Sequence, residues 1–596
     1  MQAIGYRGRY YPINARSTKV HGQQAYPNVS SLPEPPDMVV IAIPRDSIPD
    51  VVDECARVGV KAAVILATGF VDLDAHGAEL QGRITETTRK SGLLVVGPNC
   101  LGLASVANRC AATSSTPPAV AGNVALISHS GGLMNEVISC GVPRGIGFSH
   151  LVSAGNEAGV TAADYIDYFV ADPGTDVILA ILETARDPAG FVAACVRAAE
   201  ARKPIVVLKM GWSPKGKLSA FTHTGANTGD DAVYDALFHQ YGVTRVDDID
   251  ELVDMGALLA PAIDILRTRR LERAAVIEIS GGGKGLVCDT AATAGVVLPD
   301  PSPAGFTELD AHLPEDTYRT NPIDTGGSWV QPDKAEVYPA TLEVFATEPD
   351  VDIVVSRYTI PRTGGLRILT DRLAELETAR AAHPDRLFPV LSRTCDQFCD
   401  EWEAVIRERR IPFLQGYGRG LRALGLMAQY SRFIHGPTGK EISASHSSGA
   451  WNANANSIDS AESREILSSV RLEPAKTPQR GIAVLLGAHR DVQFGPVITF
   501  ALGGSIGRVL DDHAVRLTPL NAESADEMLV DIHGHELLDG ADGEPPADRA
   551  AIRDALCRLS TLMGRRTDVG RIEIEAVTGD TGHLVATAIR TELAVS

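Results

Sequence analysis

The sequence of 596 residues lacks the features that would direct its function to a membrane or to nucleic acid. No run approaches the roughly 18 consecutive apolar residues that a membrane-spanning helix needs, and the first residues, MQAIGYR, contain no apolar signal core. Positive charge is also in deficit, since the formal net charge is −20 and nucleic acids or anionic membranes are bound by basic surfaces. We therefore expect a cytoplasmic protein with neither kind of partner.

Cysteine spacings typical of zinc sites are likewise missing. The nine cysteines are scattered, and the closest pair, Cys395 and Cys399, has no second pair or histidine cluster at a matching spacing. Most of the chain has no long biased tract, and its 44% apolar and 22% charged residues are ordinary for a globular protein. At about 150 residues per domain, the length predicts about three or four domains, each with its own core.

Apolar runs that are typical of buried parallel strands alternate with helical stretches through most of the chain. The run 37–44, a helix near 47–59 and the run 61–68 predict a strand, a helix and a parallel strand. Similar units start at 124–133 and at 273–285. From Gly436 to about Gln479 the composition shifts to Ser, Ala, Asn and Pro, which predicts a linker with one short helix near 460–468. The last segment is predicted to be a small α+β unit.

The most informative stretch is KGKLSAFTHTGANTGD at 215–230, which places His223 among small residues. It follows a predicted strand at 204–210, so we expect a mobile loop at the carboxyl end of that strand, where open α/β sheets place their chemistry. An imidazole in such a loop can act as a nucleophile, an acid or base, or a metal ligand, and it can accept and pass on a phosphoryl group. The alternative is a histidine that only caps the helix beginning near Asp230.

Glu183 is the second candidate for catalysis, because it ends the apolar run 176–183. A carboxylate at the end of a buried strand is costly unless it is paired. We expect it to pair with His223 at a neighbouring strand end. The alternative is an exposed carboxylate at the start of the turn that contains Asp187.

Two glycine-containing turns between a strand and a helix are candidate phosphate sites. The first contains Ser128, Ser130 and Gly131, and the second contains Gly281, Gly282 and Gly283. Backbone N–H groups and hydroxyls at a helix N-terminus can bind a phosphate group. As an isolated pattern each is weak, and a plain helix cap remains an alternative for the first.

A series of short motifs occurs in a fixed order, and together they resemble the NDP-forming acyl-CoA synthetases, the ADP-forming acetate–CoA ligase type of the succinyl-CoA synthetase superfamily. The resemblance covers nearly everything outside the predicted linker. One motif alone would be weak, but the ordered set is specific. The motifs are GYRGRYYPIN at 5–14, GPNCLG at 97–102, ISHSGG at 127–132, Gly155-Asn156, Lys209, THTG at 222–225, NPID at 321–324 and DVQFGP at 491–496.

The resemblance implies an α/β fold of several domains. It implies a Rossmann-like CoA-binding domain at 1–115, whose first strand is missing, and two flavodoxin-like ligase domains at 116–265 and 266–435. A linker at 436–479 and a partial ATP-grasp domain at 480–596 of the α+β type complete this division.

The resemblance also implies a phosphohistidine mechanism that uses CoA, ATP or ADP, and Mg²⁺ to join CoA to a carboxylic acid. Its intermediates are an acyl phosphate of the acid and a phosphohistidine that exchanges its phosphoryl group with ADP. His223 matches the phosphorylated histidine of the family, and Glu183 matches the glutamate that orients it. Pro44 and Asn99 belong to the part of the CoA site that the chain retains.

The departures from the family pattern concern the nucleotide site and the start of the CoA site. The first strand with its glycine-rich CoA loop is missing, as is the part of the ATP-grasp domain that carries the nucleotide-binding lysine. Arg508 stands where the family has a metal-binding glutamate, which leaves Glu573 as the candidate ligand for Mg²⁺. We therefore expect the isolated chain to bind ATP weakly, and to work as a homo-oligomer or with an ATP-grasp subunit.

Two alternatives to the ligase remain. One is a CoA-binding or regulatory protein that keeps the scaffold without ATP chemistry. The other is a transferase that uses an acyl phosphate instead of ATP.

Overall fold

The computed structural model describes the chain in twelve stretches that fall into two compact units. One unit comprises Met1–Glu183, Arg197–Ala226 and Gly242–Thr438, and the other comprises Thr184–Val196, Asn227–Tyr241 and Gly439–Ser596. The described residues are 6–115, 120–313, 317–326, 335–358, 366–395, 400–436, 450–453, 461–475, 481–510, 512–540, 546–578 and 583–595.

The N-terminal part of the first unit is built on a three-stranded parallel sheet. Its elements are β1 (Lys19–Val20), β2 (Gln23–Gln24), β3 (Met38–Ile41), α1 (Ile48–Val58), β4 (Ala62–Ile65), α2 (Ala75–Ser91) and β5 (Leu94–Val96). The strand order is β3-β4-β5, and β1 pairs with β2 as a separate antiparallel ribbon. Asp74 fixes the start of α2, because its carboxylate accepts the N–H of Gly77 at 2.6 Å.

A seven-stranded sheet follows in the same unit. The elements that come next along the chain are β6 (Gly102–Ser105), β7 (Cys110–Thr113), β8 (Ala121–Ser128), α3 (Gly131–Gly141), β9 (Phe148–Ser153), α4 (Ala162–Ala171), β10 (Val177–Leu182), α5 (Pro188–Glu200), β11 (Ile205–Lys209), α6 (Pro214–Thr224), α7 (Asp231–Tyr241), β12 (Thr244–Val246) and α8 (Ile249–Thr268). Of these, α7 and the part of α5 up to Val196 belong to the second unit. The strand order is β12-β11-β10-β8-β9-β6-β7, parallel from β12 to β9 and antiparallel at β6 and β7. All residues of β10 and β11 are buried, as expected of central strands in a parallel sheet.

The third sheet of the first unit has five parallel strands in the order β14-β13-β15-β16-β17. Its elements are β13 (Ala274–Glu278), α9 (Gly281–Ala294), α10 (Pro303–His312), β14 (Ile323–Asp324), α11 (Val337–Thr347), β15 (Ile353–Arg357), α12 (Leu366–Ala382), β16 (Val390–Ser392), α13 (Asp400–Arg409), β17 (Phe413–Gln415) and α14 (Tyr417–His435). Helices α8 and α14 contact each other and belong to a hydrophobic core that extends from the seven-stranded sheet to this one. Buried Asp254 of α8 binds Arg419 of α14 at 2.8 Å and also Arg144.

The C-terminal part of the second unit is an antiparallel sheet with helices. It contains β18 (Ala450–Ala453), α15 (Ala461–Ser469), β19 (Glu473–Pro474), β20 (Ala483–Asp491), β21 (Gly495–Leu502), α16 (Gly504–Leu510), β22 (His513–Leu517), α17 (Ala522–Asp531), α18 (Arg549–Arg565), β23 (Val569–Thr578) and β24 (Leu584–Val595). The strand order is β18-β24-β23-β20-β21-β22, and β19 pairs with β24 in parallel, as the exception to the antiparallel pairing. Alternate residues of these strands pack against α17 and α18, which form one face of the core.

The structure differs from the sequence expectations in two places. Residues 215–224 are not a mobile loop: they continue the helix α6, which begins after the Ser213 cap and Pro214 and ends at Gly225 with φ +65°. Within the stretch predicted to be a linker, α15 confirms the short helix predicted near 460–468, but the described residues also form β18 and β19, and Ile466 and Leu467 of the helix are buried in the core of the second unit. None of the described helices combines the length and the apolar character that crossing a bilayer requires.

Candidate active site

The carboxyl edge of the seven-stranded sheet brings together several of the predicted site residues. Strands β8 and β10 are neighbours although another strand follows β8 in the chain, so their ends form a topological switch point, where α/β sheets bind ligands. Ser128, His129 and Ser130 lie at the end of β8, and Glu183 lies directly after β10. The switch point therefore holds a buried carboxylate beside a helix N-terminus.

Glu183 is held in place by its own backbone as well as by its side chain. It is buried, its N–H donates to Nδ1 of His129 at 3.1 Å, and its carbonyl oxygen accepts from Nζ of Lys209 at 2.8 Å. Its carboxylate accepts a hydrogen bond from the hydroxyl of Thr224, the last residue of α6. The carboxylate is thus fixed to the end of the helix that contains His223.

His223 itself lies one residue before Thr224, within α6. Its side chain lies outside the described residues, as does that of Thr222. The pairing of His223 with Glu183 therefore remains a prediction, although the adjacent residue of the chain is bonded to that carboxylate.

His129 and Glu157 form a buried pair next to Glu183. Nε2 of His129 lies 3.0 Å from Oε1 of Glu157, and their side chains are 3% and 0% exposed. Glu157 has a backbone φ of +57°, the left-handed region that is uncommon for a non-glycine residue. Burial, and then the charge of Glu157, raise the pKa of Tyr165 well above its ordinary value. The sequence analysis did not single out either member of this pair.

The turn with Ser128, Ser130 and Gly131 is a helix cap. Ser130 accepts the N–H of Leu133 at 3.4 Å as the cap of α3, and the Ser128 hydroxyl donates to the carbonyl of Ser130 at 2.7 Å. Gly131 is the first residue of α3, and a Cβ there would lie 2.4 Å from the side chain of Leu101. A role in phosphate binding remains a prediction for these three residues.

The two residues predicted for CoA follow strands of the three-stranded sheet. Pro44 is exposed between β3 and the short helix Arg45–Ser47. Asn99 has a φ of +58°, and its side chain donates to Asn156 at 3.2 Å. Asn156 is buried and donates in turn to Asp72 at 2.9 Å. The structure therefore connects Asn99 to the end of β9, close in sequence to Glu157, and leaves Pro44 apart from this network.

The second predicted glycine turn is the first turn of α9. Gly281, Gly282 and Gly283 are helical, and the Ser280 hydroxyl accepts the N–H of Gly283 at 3.2 Å. Next to it, Glu278 is fully buried, with Arg393 at 3.0 Å and Arg357 at 3.7 Å.

Charges and hydrogen bonds decide the ionisation of this cluster of Glu278, Arg357, Arg393 and Tyr417. Burial alone would raise the pKa of Glu278, but hydrogen bonds from Arg393 and Tyr417 and from the N–H of Ile279 hold it below its ordinary value. Burial, followed by the charge of Arg393, lowers the pKa of Arg357. The carboxylate is therefore charged and neutralised within the cluster.

A cavity of about 380 Å³ lies in the second unit, on the face of strands β20, β21 and β23. Its lining includes Asp230, His489, Gly504, Asp512, Glu573 and Glu575. Burial, followed by the positive charge of Arg571, lowers the pKa of His489. Asp230 immediately precedes α7 and comes seven residues after His223 in the chain. The cavity lining therefore includes a residue that follows the predicted catalytic histidine closely in sequence.

Glu573, the predicted metal ligand, faces this cavity and is half-buried. It is paired with Arg571 and, at 3.8 Å, with Arg590. No group of three or more His, Cys, Asp or Glu side chains suited to a metal ion occurs in the described part of the chain. The side chain of Arg508, in α16, lies outside the described residues. Glu573 is thus a single carboxylate paired with arginine, and among the described residues it is not part of a preformed metal cage.

Three family models match separate parts of the chain. They are a CoA binding domain at residues 1–105, a succinyl-CoA ligase-like flavodoxin domain at 121–259 and an ATP-grasp domain at 448–593. The ATP-grasp match includes the cavity lining from β20 to β23, and the flavodoxin match includes Glu183 and His223.

The chain is also similar to characterised ligases over most of its length. It is 28% identical to acetate–CoA ligase (ADP-forming) I of Archaeoglobus fulgidus, over 96% of this chain and 92% of that protein. It is 33% identical to the alpha subunit of acetate–CoA ligase (ADP-forming) I of Pyrococcus furiosus, over 54% of this chain and 70% of the subunit. The beta subunit of the same Pyrococcus enzyme is 34% identical over 16% of this chain and 42% of that subunit. These relatives therefore include both fused chains and separate subunits.

A solved structure supports the same assignment. The dinucleotide-forming acetyl-coenzyme A synthetase 1 of Ca. Korarchaeum cryptofilum, in complex with phosphate and ADP, is 28% identical, with a TM-score of 0.64 over 73% of this chain and 91% of that chain. Its fold contains the same kinds of domain: Rossmann-like, flavodoxin-like and ATP-grasp. The chain belongs to the ADP-forming acyl-CoA synthetases of the succinyl-CoA synthetase superfamily, and it is an enzyme of the ligase class.

Proposed function

We propose that this enzyme joins a carboxylic acid to CoA with conversion of ATP to ADP and phosphate, and that His223 carries the phosphoryl group. The observation that supports this most directly is the hydrogen bond from Thr224 to the buried carboxylate of Glu183. It holds the residue next to His223 at the switch point of a parallel sheet, where such folds carry out their chemistry. The domain boundaries predicted from the sequence form part of the same proposal.

The proposed reaction has three steps. An imidazole nitrogen of His223 attacks the terminal phosphorus of ATP, so that a P–N bond forms, the bond to the bridging oxygen breaks and ADP leaves. An oxygen of the acid then attacks phosphorus, the P–N bond breaks and an acyl phosphate results. Finally the sulfur of CoA attacks the acyl carbon, and phosphate leaves with the thiol proton. The reverse sequence makes ATP from an acyl-CoA.

Glu183 orients His223 in this scheme. A carboxylate that accepts one ring N–H leaves the other nitrogen unprotonated and ready to attack phosphorus. The N–H groups at the start of α3, next to Ser130 and Gly131, and those at the start of α9, at Gly281 and Gly282, are the proposed donors to phosphate oxygens. Pro44 and Asn99 are proposed to contact CoA.

The cavity of the second unit is the proposed nucleotide site. In nucleotide sites Mg²⁺ takes one or two carboxylates from the protein and the rest of its ligands from phosphates and water, and it neutralises phosphate charge. Glu573 fits this mode as a single carboxylate, provided that it exchanges its contact with Arg571 for the ion. Because the chain matches less than half of the Pyrococcus beta subunit, we propose that a further ATP-grasp segment, supplied by a partner subunit, completes the site.

The test is a coupled assay of the full chain with Mg-ATP and CoA over a panel of short-chain and aromatic acids. Formation of acyl-CoA and ADP is expected, and it should rise when an ATP-grasp partner subunit is added. The matched control is His223→Ala, which should form neither product. Turnover by His223→Ala at the wild-type rate would rule out the phosphohistidine route, and AMP as the product would rule out this class of ligase.

A further inference from the structure

His129 makes two buried contacts that the proposed mechanism does not use. Its Nδ1 lies 3.1 Å from the backbone nitrogen of Glu183, and its Nε2 lies 3.0 Å from Oε1 of Glu157. All three residues are buried. The ring therefore bridges the end of β10 to the residues that follow β9.

The chemistry of these contacts fixes the tautomer of His129. A backbone N–H can only donate, so Nδ1 must accept and carries no proton. The ring proton then lies on Nε2 and is donated to Glu157, because an ionised carboxylate accepts hydrogen bonds and has none to donate. One neutral ring thus satisfies a donor on one side and an acceptor on the other.

Burying the His129–Glu157 pair lowers the stability of the fold, which argues against a role in packing alone. Oε2 of Glu157 is buried and has no hydrogen-bond partner among the described residues, and burying a carboxylate oxygen without a partner costs free energy. Glu157 also adopts a left-handed backbone conformation. Unpaired buried groups and backbone outliers of this kind cluster at functional sites, where the surrounding structure maintains them.

We propose that His129 is a positioning residue for Glu183, and that the Glu157 carboxylate holds its ring in the required orientation. This inference rests on the proposed function, because the carboxylate that it places is the one that orients His223. The link acts through the backbone of Glu183: if its N–H lost the His129 acceptor, the strand end and the carboxylate would shift. A displacement of about 1 Å in a catalytic group can cost roughly 10²-fold in rate.

The experiment compares two substitutions at His129 in the full chain. Glutamine offers an oxygen to the N–H of Glu183 and an N–H to Glu157, whereas leucine offers neither. With labelled acetyl phosphate, we expect the rate of histidine phosphorylation in His129→Leu to fall roughly 10- to 100-fold, with little change in KM. His129→Gln should stay within about threefold of wild type, because both hydrogen bonds can be kept.

A matched control is present in the same sheet. His150 on β9 makes a similar contact, with Nε2 at 3.0 Å from Oδ2 of Asp172, but it has no bond to Glu183. His150→Leu and His150→Gln should therefore phosphorylate at the wild-type rate. A loss in His150→Leu equal to that in His129→Leu would reduce the effect to general damage and overturn the inference.

A second measurement reads the hydrogen bonds of His129 in the wild-type protein directly. In wild-type protein labelled with ¹⁵N-histidine, long-range ¹H–¹⁵N correlations should show His129 with a bare Nδ1 and a protonated Nε2, identified by the signals missing from His129→Gln. The opposite tautomer would overturn the inference. Equal rates in wild type and His129→Leu, with label on His223 in both, would overturn it alone. A wild-type chain that takes no label would overturn the proposed function as well.

Discussion

The seven-stranded and the five-stranded sheets of the first unit, here called the first and second sheets, share an order of five parallel strands but carry opposite charges where the third of these strands ends. Numbered by their order along the chain, the parallel strands β8 to β12 of the first sheet and the strands β13 to β17 of the second both read 2-1-3-4-5; β6 and β7 lie outside this count. In the first sheet Glu183 follows the third strand, and in the second sheet the third strand ends at Arg357. Both first strands lead through a serine cap, Ser130 or Ser280, into a helix that begins with glycine.

The difference shows that topology provides the location and the side chains decide its use. In the first sheet the carboxylate of Glu183 accepts a hydrogen bond from the helix that contains His223. In the second sheet Glu278 accepts hydrogen bonds from Arg393, which follows β16, and from Tyr417, the first residue of α14. Under the proposed function the first edge serves the reaction, and we expect the glutamate of the second to be structural.

The largest expected effect is on stability, at the second sheet. Glu278→Gln leaves Arg357 and Arg393 without their buried counter-charge, which should cost about 3–5 kcal/mol of unfolding free energy. Denaturant unfolding measures this loss, and the exposed Glu343→Gln should change stability by less than about 0.5 kcal/mol. A Glu278→Gln protein as stable as wild type would mean that the cluster does not depend on this charge.

Low pH should reduce the difference in stability between wild type and Glu278→Gln. Because the pKa of Glu278 is lowered in the folded protein, its contribution is fully present above the unfolded value of about 4.3 and is lost as pH falls through the folded value. The difference in stability between wild type and Glu278→Gln should therefore shrink below about pH 4. A difference that stays constant down to pH 3 would contradict the assigned ionisation.

The next effect is on catalysis, at the first sheet. Glu183→Gln keeps the size of the side chain but removes its charge, so phosphorylation from acetyl phosphate should slow by roughly 10²-fold. Per folded molecule, Glu278→Gln should react at the wild-type rate, which makes it the matched control. A wild-type rate in Glu183→Gln would reduce Glu183 to a turn residue.

A smaller effect is expected at the hydroxyl that joins α6 to Glu183. Thr224→Val removes the donor and keeps the shape, so the rate of phosphorylation should fall roughly tenfold, the size of one lost hydrogen bond to a charged group. Thr341 in α11 is also a buried threonine, whose hydroxyl bonds to Val337 at 2.7 Å within its own helix. Thr341→Val should leave the rate unchanged, and equal losses in the two variants would count against the assigned role of Thr224.

The smallest effects compare the two serine caps. Ser130→Ala and Ser280→Ala should each cost about 1 kcal/mol of unfolding free energy, as loss of an N-cap does. The cost should be greater for Ser280, because its hydroxyl also accepts a hydrogen bond from Arg393. Thermal unfolding of the two variants measures which one loses more stability. A greater loss in Ser130→Ala than in Ser280→Ala would contradict this prediction.

The sequence was sufficient to predict the parallel strands and the position of Glu183. Central strands such as β10 and β11 are uninterrupted apolar runs, which local pattern alone identifies. The helix α6 was missed because its residues are small and polar, yet the Ser213 cap, Pro214 and the final Gly225 were available signals. They were outweighed by the glycines and threonines around His223.

Other features depend on partners far away in the chain. β18 and β19 have the composition of a linker, and they are strands because each pairs with the distant strand β24. The bond between His129 and Glu183 joins residues 54 positions apart, and no local pattern reports it. The cluster around Glu278 was missed for the same reason, since Arg393 follows it by 115 positions.

The central claim is that His223 carries the phosphoryl group, and its most direct test is the position of the label. The full chain is incubated with ³²P-labelled acetyl phosphate, digested, and the acid-labile, base-stable phosphate is mapped to a peptide. The account predicts label on His223 in wild type and none in His223→Ala. Label that persists in His223→Ala, or that is stable to acid, would contradict it.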